Sequence, residues 1–322
     1  MIRTTLSRFR IASAMKWAGA LAALYAGLCT VGGAFFAERG VHRAVRRPVT
    51  GADRTAAADL ARDLGASLET VSISAGDGAA MRGWLFTPMG PSTDSVLRLH
   101  GITGNRAGMT GAVRLFLEAG YRTLAVDLRA HGESDGEFGT SSVREADDVR
   151  RWLAWLRTEA PDGCMYAFGG SLGAGFAVQA ANAPGLCGAV AVSVFASLRE
   201  TTFDRIGQQL HTGPWAGRIL LRPGVEFGFL YARLRYGLDL GGASAVTAAA
   251  QPGAPILLIH GTDDDNTPVR HAQMIHAANP ARVSQWLVPG GTHENLSRTA
   301  GFEYPLRILG FCAANRHPGP PW

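Results

Sequence analysis

The chain has 322 residues and a formal net charge of +5, enough length for one large α/β domain or two small ones around a substantial core. Apolar residues make up 47% and charged residues 18%, and the 41 Gly and 16 Pro are scattered without a period, which excludes disorder, collagen and coiled coil. The positive balance sits at one end: residues 1–47 carry eight basic side chains against Glu38, whereas residues 48–322 carry 23 basic and 25 acidic ones, so the body has no basic excess to offer nucleic acid.

Within the basic N-terminal region 1–47, 21 uncharged residues run from Trp17 to Ala37. At about 1.5 Å rise per residue they cross a hydrocarbon core of about 30 Å. A single-pass membrane helix over 17–37 is the expectation. The rival is a cleaved secretory signal, whose apolar stretch is usually only about 7 to 15 residues long, with Gly32-Gly33-Ala34 as a weak cleavage site. Gly19, Ala23 and Gly27 repeat small residues at four-residue spacing, as close-packed membrane helices do, although so Ala-rich a segment produces that repeat by chance. Four basic residues precede the span and four follow it, so the positive-inside rule selects no orientation. The four cysteines, Cys29, Cys164, Cys187 and Cys312, include no C-x-x-C pair and no metal-spaced His and read as buried thiols; Cys29 falls inside the span and the other three allow at most one bridge, which leaves the compartment open.

Residues 48–322 follow a polar linker around Arg46 to Thr55. Short apolar runs then alternate with longer helical patterns, the mark of β-α units on a mainly parallel sheet. Strands are predicted at Thr70–Ser74, Met81–Thr87, Ser95–His100, Arg122–Asp127, Met165–Gly169, Ala189–Phe195, Ile256–His260 and Ser284–Val288. After Thr140, Ser142 and Glu145 form a capping-box pattern, and Val149, Trp152, Leu153 and Leu156 recur on one helix face as core. About 55 residues, 197–251, then separate two strands where a usual connection is far shorter. Their apolar content (Phe203, Trp215, Phe227, Phe229) predicts an insertion of helices, read as a cap over a site, with a helical decoration away from substrate as the alternative.

The chemistry is carried by Gly169-Gly170-Ser171-Leu172-Gly173, which follows an apolar strand and opens an Ala-rich helix from Ala174 to Ala183. A serine there occupies a strained turn, and glycines two positions to either side allow close backbone approach. Upstream, His100-Gly101-Ile102 ends another strand. The backbone N–H groups of Ile102 and Leu172 stand where an oxyanion hole would draw its donors.

Taken together, the blocks from His100 to Arg106, Asp127 to Ser134, Gly169 to Gly173, His260 to Pro268 and Gly290 to His293 resemble the α/β-hydrolase superfamily over residues 70–312. Within it the chain looks most like the serine aminopeptidase-like and monoacylglycerol-lipase-like hydrolases with an N-terminal membrane segment. The resemblance implies an α/β-hydrolase fold, a mostly parallel eight-stranded sheet flanked by helices with a helical cap. It also implies a triad in the order Ser171, an acid after the seventh strand, and His293. The family pattern H-G-x-x-D-x-x-x-P selects Asp264 from three adjacent acids, leaving Asp263 and Asp265 as solvated turn residues. Ser171 would attack an acyl carbonyl, His293 would move its proton, and Asp264 would orient the imidazole.

His131 is read as ordering the loop beside the site, His100 and His260 as structural, and His42, His211, His271, His276 and His317 as exposed. Arg98 departs from the pattern, since the family usually has an aliphatic residue at that strand position, and a buried Arg needs a partner. The expected activity is membrane-anchored hydrolysis of a small-molecule or lipid-like acyl ester, without cofactor or metal. The runner-up is a serine aminopeptidase, with Glu200, Asp204 and Glu226 to bind an amino terminus. A thioesterase and a non-catalytic membrane-tethered scaffold are the remaining alternatives. No nucleic-acid partner is expected, and oligomeric state is left open.

Overall fold

A computed structural model describes residues 2–42, 46–90, 94–137, 144–242 and 244–316, with side chains from Ser13 onward. The chain divides into two compact units, Met1–Val41 with Thr202–Asp239, and His42–Thr201 with Leu240–Trp322. In chain order the elements are α1 (Ile2–Val41), α2 (Gly51–Asp63), β1 (Ala66–Ser74), β2 (Ala80–Pro88), β3 (Ser95–Leu99), α3 (Thr110–Glu118), β4 (Arg122–Val126), α4 (Glu145–Glu159), β5 (Met165–Gly170), α5 (Leu172–Ala180) and β6 (Leu186–Val192). They continue with α6 (Leu198–Gln209), α7 (Arg222–Tyr236), α8 (Ala245–Ala250), β7 (Ile256–Gly261), α9 (Arg270–Ala278), β8 (Val283–Val288), α10 (Leu296–Ala300) and α11 (Glu303–Ala314).

The second unit is built on one sheet in the order β1-β2-β4-β3-β5-β6-β7-β8. β1, β2 and β4 pair antiparallel, and every pairing from β4 onward is parallel. This is an α/β-hydrolase fold. The central strands are near-continuous apolar runs because helices cover both faces. One face packs Leu97, Leu99, Ala167 and Leu258 against Trp152 and Phe176, and the other packs Tyr166, Phe168 and Ile259 against Phe116 and Ile308. All eight expected strands form. β6 stops at Val192 instead of continuing to Phe195, because Ser193 adopts a left-handed φ of 52°.

α4 buries Val149, Trp152, Leu153 and Leu156 as its periodicity requires, and its first turn holds Glu145, Asp147 and Asp148, which suits the positive end of the helix dipole. Ser142 lies outside the described residues. Two cysteines depart from the buried-thiol reading: Cys164, just before β5, and Cys187, in β6, form a disulfide with Cα atoms 5.6 Å apart. Spacing of 23 residues conceals the pair, which only the alignment of neighbouring strands brings together. Cys29 and Cys312 are the buried free thiols.

In the other unit, the N-terminal helix is long and apolar enough to cross a membrane, and it exposes Leu21, Leu24, Leu28 and Val31. α1 packs on α7. A Cβ on Gly33 would fall 2.2 Å from the Gly224 carbonyl oxygen, and one on Gly228 would fall 2.7 Å from that of Gly33. The small-residue contact thus uses Gly33, whereas Gly19 and Gly27 of the four-residue repeat face open space. Tyr231 and Tyr236 donate hydrogen bonds to Glu38 at 2.7 and 2.6 Å. Of the 55-residue insertion, the last part belongs to the hydrolase body: α8 sends Ala245 and Ala249 into the main core, where only small side chains fit so close an approach.

Candidate active site

The turn between β5 and α5 holds Ser171 at φ 52° and ψ −112°, a conformation costly for a non-glycine residue. Its neighbours make the turn possible. A Cβ on Gly169 would lie 2.1 Å from the Gly173 carbonyl oxygen, and one on Gly173 would lie 2.4 Å from that of Leu99. The Ser171 N–H donates to the Val192 carbonyl at 2.8 Å, which secures the turn against β6. Ser171 therefore stands at the carboxyl ends of the central strands, where open α/β sheets place their ligands.

Three side chains from separate loops converge there. His293 Nε2 lies 3.0 Å from Ser171 Oγ, and His293 Nδ1 lies 2.8 Å from Asp264 Oδ2. Asp264 is buried, while Asp263 and Asp265 are exposed. The other oxygen of Asp264 accepts from the Thr267 N–H at 2.7 Å. Burial alone would raise this carboxyl, but the hydrogen bonds from His293 and Thr267 outweigh it and hold Asp264 below the usual carboxylate range. His260 Nε2 donates to the Thr267 carbonyl at 2.7 Å, and burial lowers its pKa so that it stays neutral beside Asp264.

Leu172 is the first residue of α5, where a backbone N–H has no acceptor within the helix. Ile102 lies in the loop after β3, with its carbonyl oxygen 2.6 Å from His131 Nε2, and His131 Nδ1 lies 2.8 Å from the Arg129 carbonyl. His131 therefore links the two loops bordering Ser171. His100 donates from Nδ1 to the Gly101 carbonyl at 2.7 Å and accepts the Leu128 N–H at Nε2 at 3.0 Å. Burial pushes its pKa down to about 3.

A network not anticipated from the sequence stabilises the same loops. Buried Arg106 is ion-paired with Asp127 and with Glu133, while the Arg106 and Glu133 backbone N–H groups donate to the Asp127 carboxylate at 2.6 and 2.8 Å. Gly132, at φ 50°, is required because a Cβ there would overlap Asp127. The signal was present, since Arg106 closes one motif block and Asp127 opens the next. Around Ser171 and His293 lies a cavity of about 380 Å³, also lined by Arg98, His100, Met109 and Ser193.

Residues 94–193 match the family model described as alpha/beta hydrolase fold. The chain has the fold of the α/β-hydrolases, and this segment carries their sequence pattern. It is 26% identical over 204 residues to the Bacillus subtilis protein YqkD, a match covering 62% of this chain and 65% of that protein. It is also 26% identical over 203 residues to lysophosphatidylserine lipase ABHD12 of Macaca fascicularis, covering 62% of this chain and 49% of the lipase. The chain thus spans less than two thirds of the length of either relative. Among solved structures, the Pyrococcus furiosus esterase Pf2001 superposes with a TM-score of 0.63 at 24% identity, over 79% of this chain and 94% of the esterase. That likeness is one of fold.

Other side chains singled out from the sequence find different uses. His271, expected on an exposed helix face, is fully buried in α9 and accepts the Ala196 N–H at Nδ1 at 3.0 Å. His276 is half-buried against the Val283 carbonyl, His42 and His211 are exposed, and His317 lies outside the described residues. The Glu200 carboxylate accepts from Arg270 at 2.8 Å, and that of Glu226 is 3.6 Å from Arg222.

Proposed function

We propose that the protein is a serine hydrolase that cleaves carboxylic esters of acyl or lipid-like substrates. The observation carrying this reading is the unbroken alignment of Ser171 Oγ, His293 and Asp264 on a strained strand-to-helix turn. Ser171 Oγ attacks the acyl carbonyl while His293 Nε2 accepts the hydroxyl proton; the tetrahedral oxyanion receives hydrogen bonds from the Ile102 and Leu172 N–H groups. The intermediate collapses as His293 returns the proton to the leaving alcohol. Water, deprotonated by the same imidazole, then attacks the acyl-enzyme and releases the acid. Asp264 stabilises the imidazolium formed at both stages. Esters are favoured over peptides because the similar proteins include a lysophosphatidylserine lipase, and because two of the three acids suited to an amino terminus, Glu200 and Glu226, face arginines while the third, Asp204, is buried.

A lipid-like substrate also agrees with the apolar α1, which we assign as a membrane anchor. The Cys164–Cys187 disulfide supports placing the hydrolase body in an oxidising compartment. Labelling with a fluorophosphonate probe tests the function: wild type should be modified and Ser171→Ala should not, and a folded wild type that stays unlabelled refutes the reading. Alkaline carbonate extraction tests the anchor, which is wrong if intact chain enters the supernatant. For the orientation, alkylation before and after reduction should reveal the Cys164 and Cys187 thiols only after reduction. Alkylation of Cys164 or Cys187 in freshly isolated, unreduced protein contradicts the assignment, whereas Cys29 and Cys312 are free in either case.

A further inference from the structure

Two polar side chains of the cavity have no role in the hydrolysis outlined above. Arg98 lies between Leu97 and Leu99 on β3, in register with Ala125 of β4 and Phe168 of β5. It is 6% exposed and lines the same cavity as Ser171 and His293. Its guanidinium carbon stands 3.8 Å from the centre of the Phe168 ring. That contact offsets part of the desolvation over one face of the cation, but an aromatic face accepts nothing from N–H groups directed in the guanidinium plane. Among the described residues, Nε and Nη1 have no hydrogen-bond partner.

Ser193 repeats the pattern two strands along the sheet, just beyond the end of β6. Its hydroxyl is buried without a partner among the described residues, it lines the cavity, and it follows β6 in the left-handed conformation that ended the strand early. No Asp or Glu lines the cavity among the described residues. Burial raises the phenol of Tyr304, the group whose charge would act on Arg98, and buried His100 is neutral, so neither supplies a negative charge. Burial lowers Arg98 only to about 10, and the guanidinium remains a cation at neutral pH. A buried cation with unmade hydrogen bonds is costly, whereas a planar guanidinium fork suits a carboxylate or phosphate, and a hydroxyl lining the same cavity adds a further donor.

We propose that Arg98 and Ser193 form a subsite for an anionic group, carboxylate or phosphate, carried by the ester that Ser171 cleaves. The proposal rests on the serine-hydrolase reading and narrows it to negatively charged esters. Two matched pairs test it: p-nitrophenyl glutarate monoester against p-nitrophenyl pentanoate for a carboxylate, and monolauroylglycerol phosphate against monolauroylglycerol for a phosphate. Wild type should favour the anionic member of at least one pair by about tenfold or more in kcat/KM, the range of a charge-assisted hydrogen bond. The pair showing the preference identifies the anion.

Arg98→Met should abolish that preference, Arg98→Lys should keep part of it, and Ser193→Ala should reduce it. A wild type that cleaves the neutral members and prefers neither anion overturns the subsite while leaving the hydrolase intact. So does a folded Arg98→Met with an unchanged ratio. If Arg98→Met does not fold, calorimetric titration of Ser171→Ala with glutarate and with glycerol phosphate decides the matter: heat from either supports the subsite, and heat from neither overturns it. A wild type that is unlabelled by fluorophosphonate and cleaves none of the four esters removes the hydrolase reading itself.

Discussion

His293 Nδ1 lies 2.8 Å from Asp264 Oδ2, and Asp264 is the buried member of three consecutive aspartates. Asp264 also accepts the Thr267 N–H at 2.7 Å, so its carboxylate is fixed from two directions. An amide at 264 would still fill the space but would favour the wrong imidazole tautomer.

Asp264→Asn should therefore lower kcat on p-nitrophenyl pentanoate by about 10³ to 10⁴-fold while leaving a folded protein. Asp263→Asn and Asp265→Asn, at exposed positions, should remain within about twofold of wild type. Steady-state kinetics on the three variants checks this, and a comparable loss at 263 or 265 would reassign the acid.

The glycines of the serine turn differ sharply in what surrounds them. Gly169 and Gly173 each have a backbone oxygen within 2.4 Å of where a Cβ would stand, whereas Gly170 has nothing within 4 Å. Backbone cannot give way as a side chain can, so Gly169→Ala and Gly173→Ala should each destabilise by about 3 kcal/mol or more, and Gly170→Ala by less than about 1 kcal/mol. Denaturant unfolding separates them. Equal midpoints for Gly170→Ala and Gly173→Ala would mean that the turn relaxes.

Most of the sheet was legible because parallel central strands are continuous apolar runs bounded by turns, and the serine turn because its glycines are required at fixed spacing. The buried acid of the His260–Pro268 block was legible through its motif. What escaped the sequence depends on distance along the chain. Cys164 and Cys187 meet only because β5 and β6 are neighbours, and His271 is buried through its contact with Ala196, 75 residues away. Arg98 was conspicuous as an arginine in an apolar strand, but the cavity and the partnerless Ser193 hydroxyl that give it a meaning exist only in the folded chain.

Gly33 and Gly228 let α1 and α7 approach backbone to backbone, and this contact shelters Cys29, whose Cα lies 3.4 Å from a Cβ built on Gly224. Gly228→Val should push the helices apart at a cost of about 1–3 kcal/mol and raise the maleimide reactivity of Cys29 in detergent. Gly27→Val, at a position open to its surroundings, should leave it unchanged. The other free thiol, Cys312, is pushed up to about 12 by burial and contributes little background. Equal labelling of Gly228→Val and wild type would show that the close approach is dispensable.

Two buried histidines give stability a definite pH dependence. In the folded chain burial holds His100 near a pKa of about 3 and lowers that of His260, whereas an unfolded histidine titrates near about 6.5. Below that value the unfolded state binds more protons, so the free energy of unfolding falls as pH drops, by up to about 1.4 kcal/mol per pH unit for each such histidine. Asp264 acts lower: its folded pKa is depressed, its contribution is full above the unfolded carboxylate value, and it is lost as pH falls through the folded one. From about pH 6.5 down to about 4.5 Asp264 stays ionised. Asp127 and Asp148, which burial raises, add a slope of opposite sign that wild type and a histidine variant share, so the difference between the two reports the histidine. His100→Gln retains a group to accept the Leu128 N–H and another to donate to the Gly101 carbonyl, but cannot be protonated. Urea unfolding across that interval should give the variant a shallower decline than wild type by about one proton's worth of slope. Parallel declines would mean that His100 is already protonated in the native state, contrary to its acceptance of the Leu128 N–H.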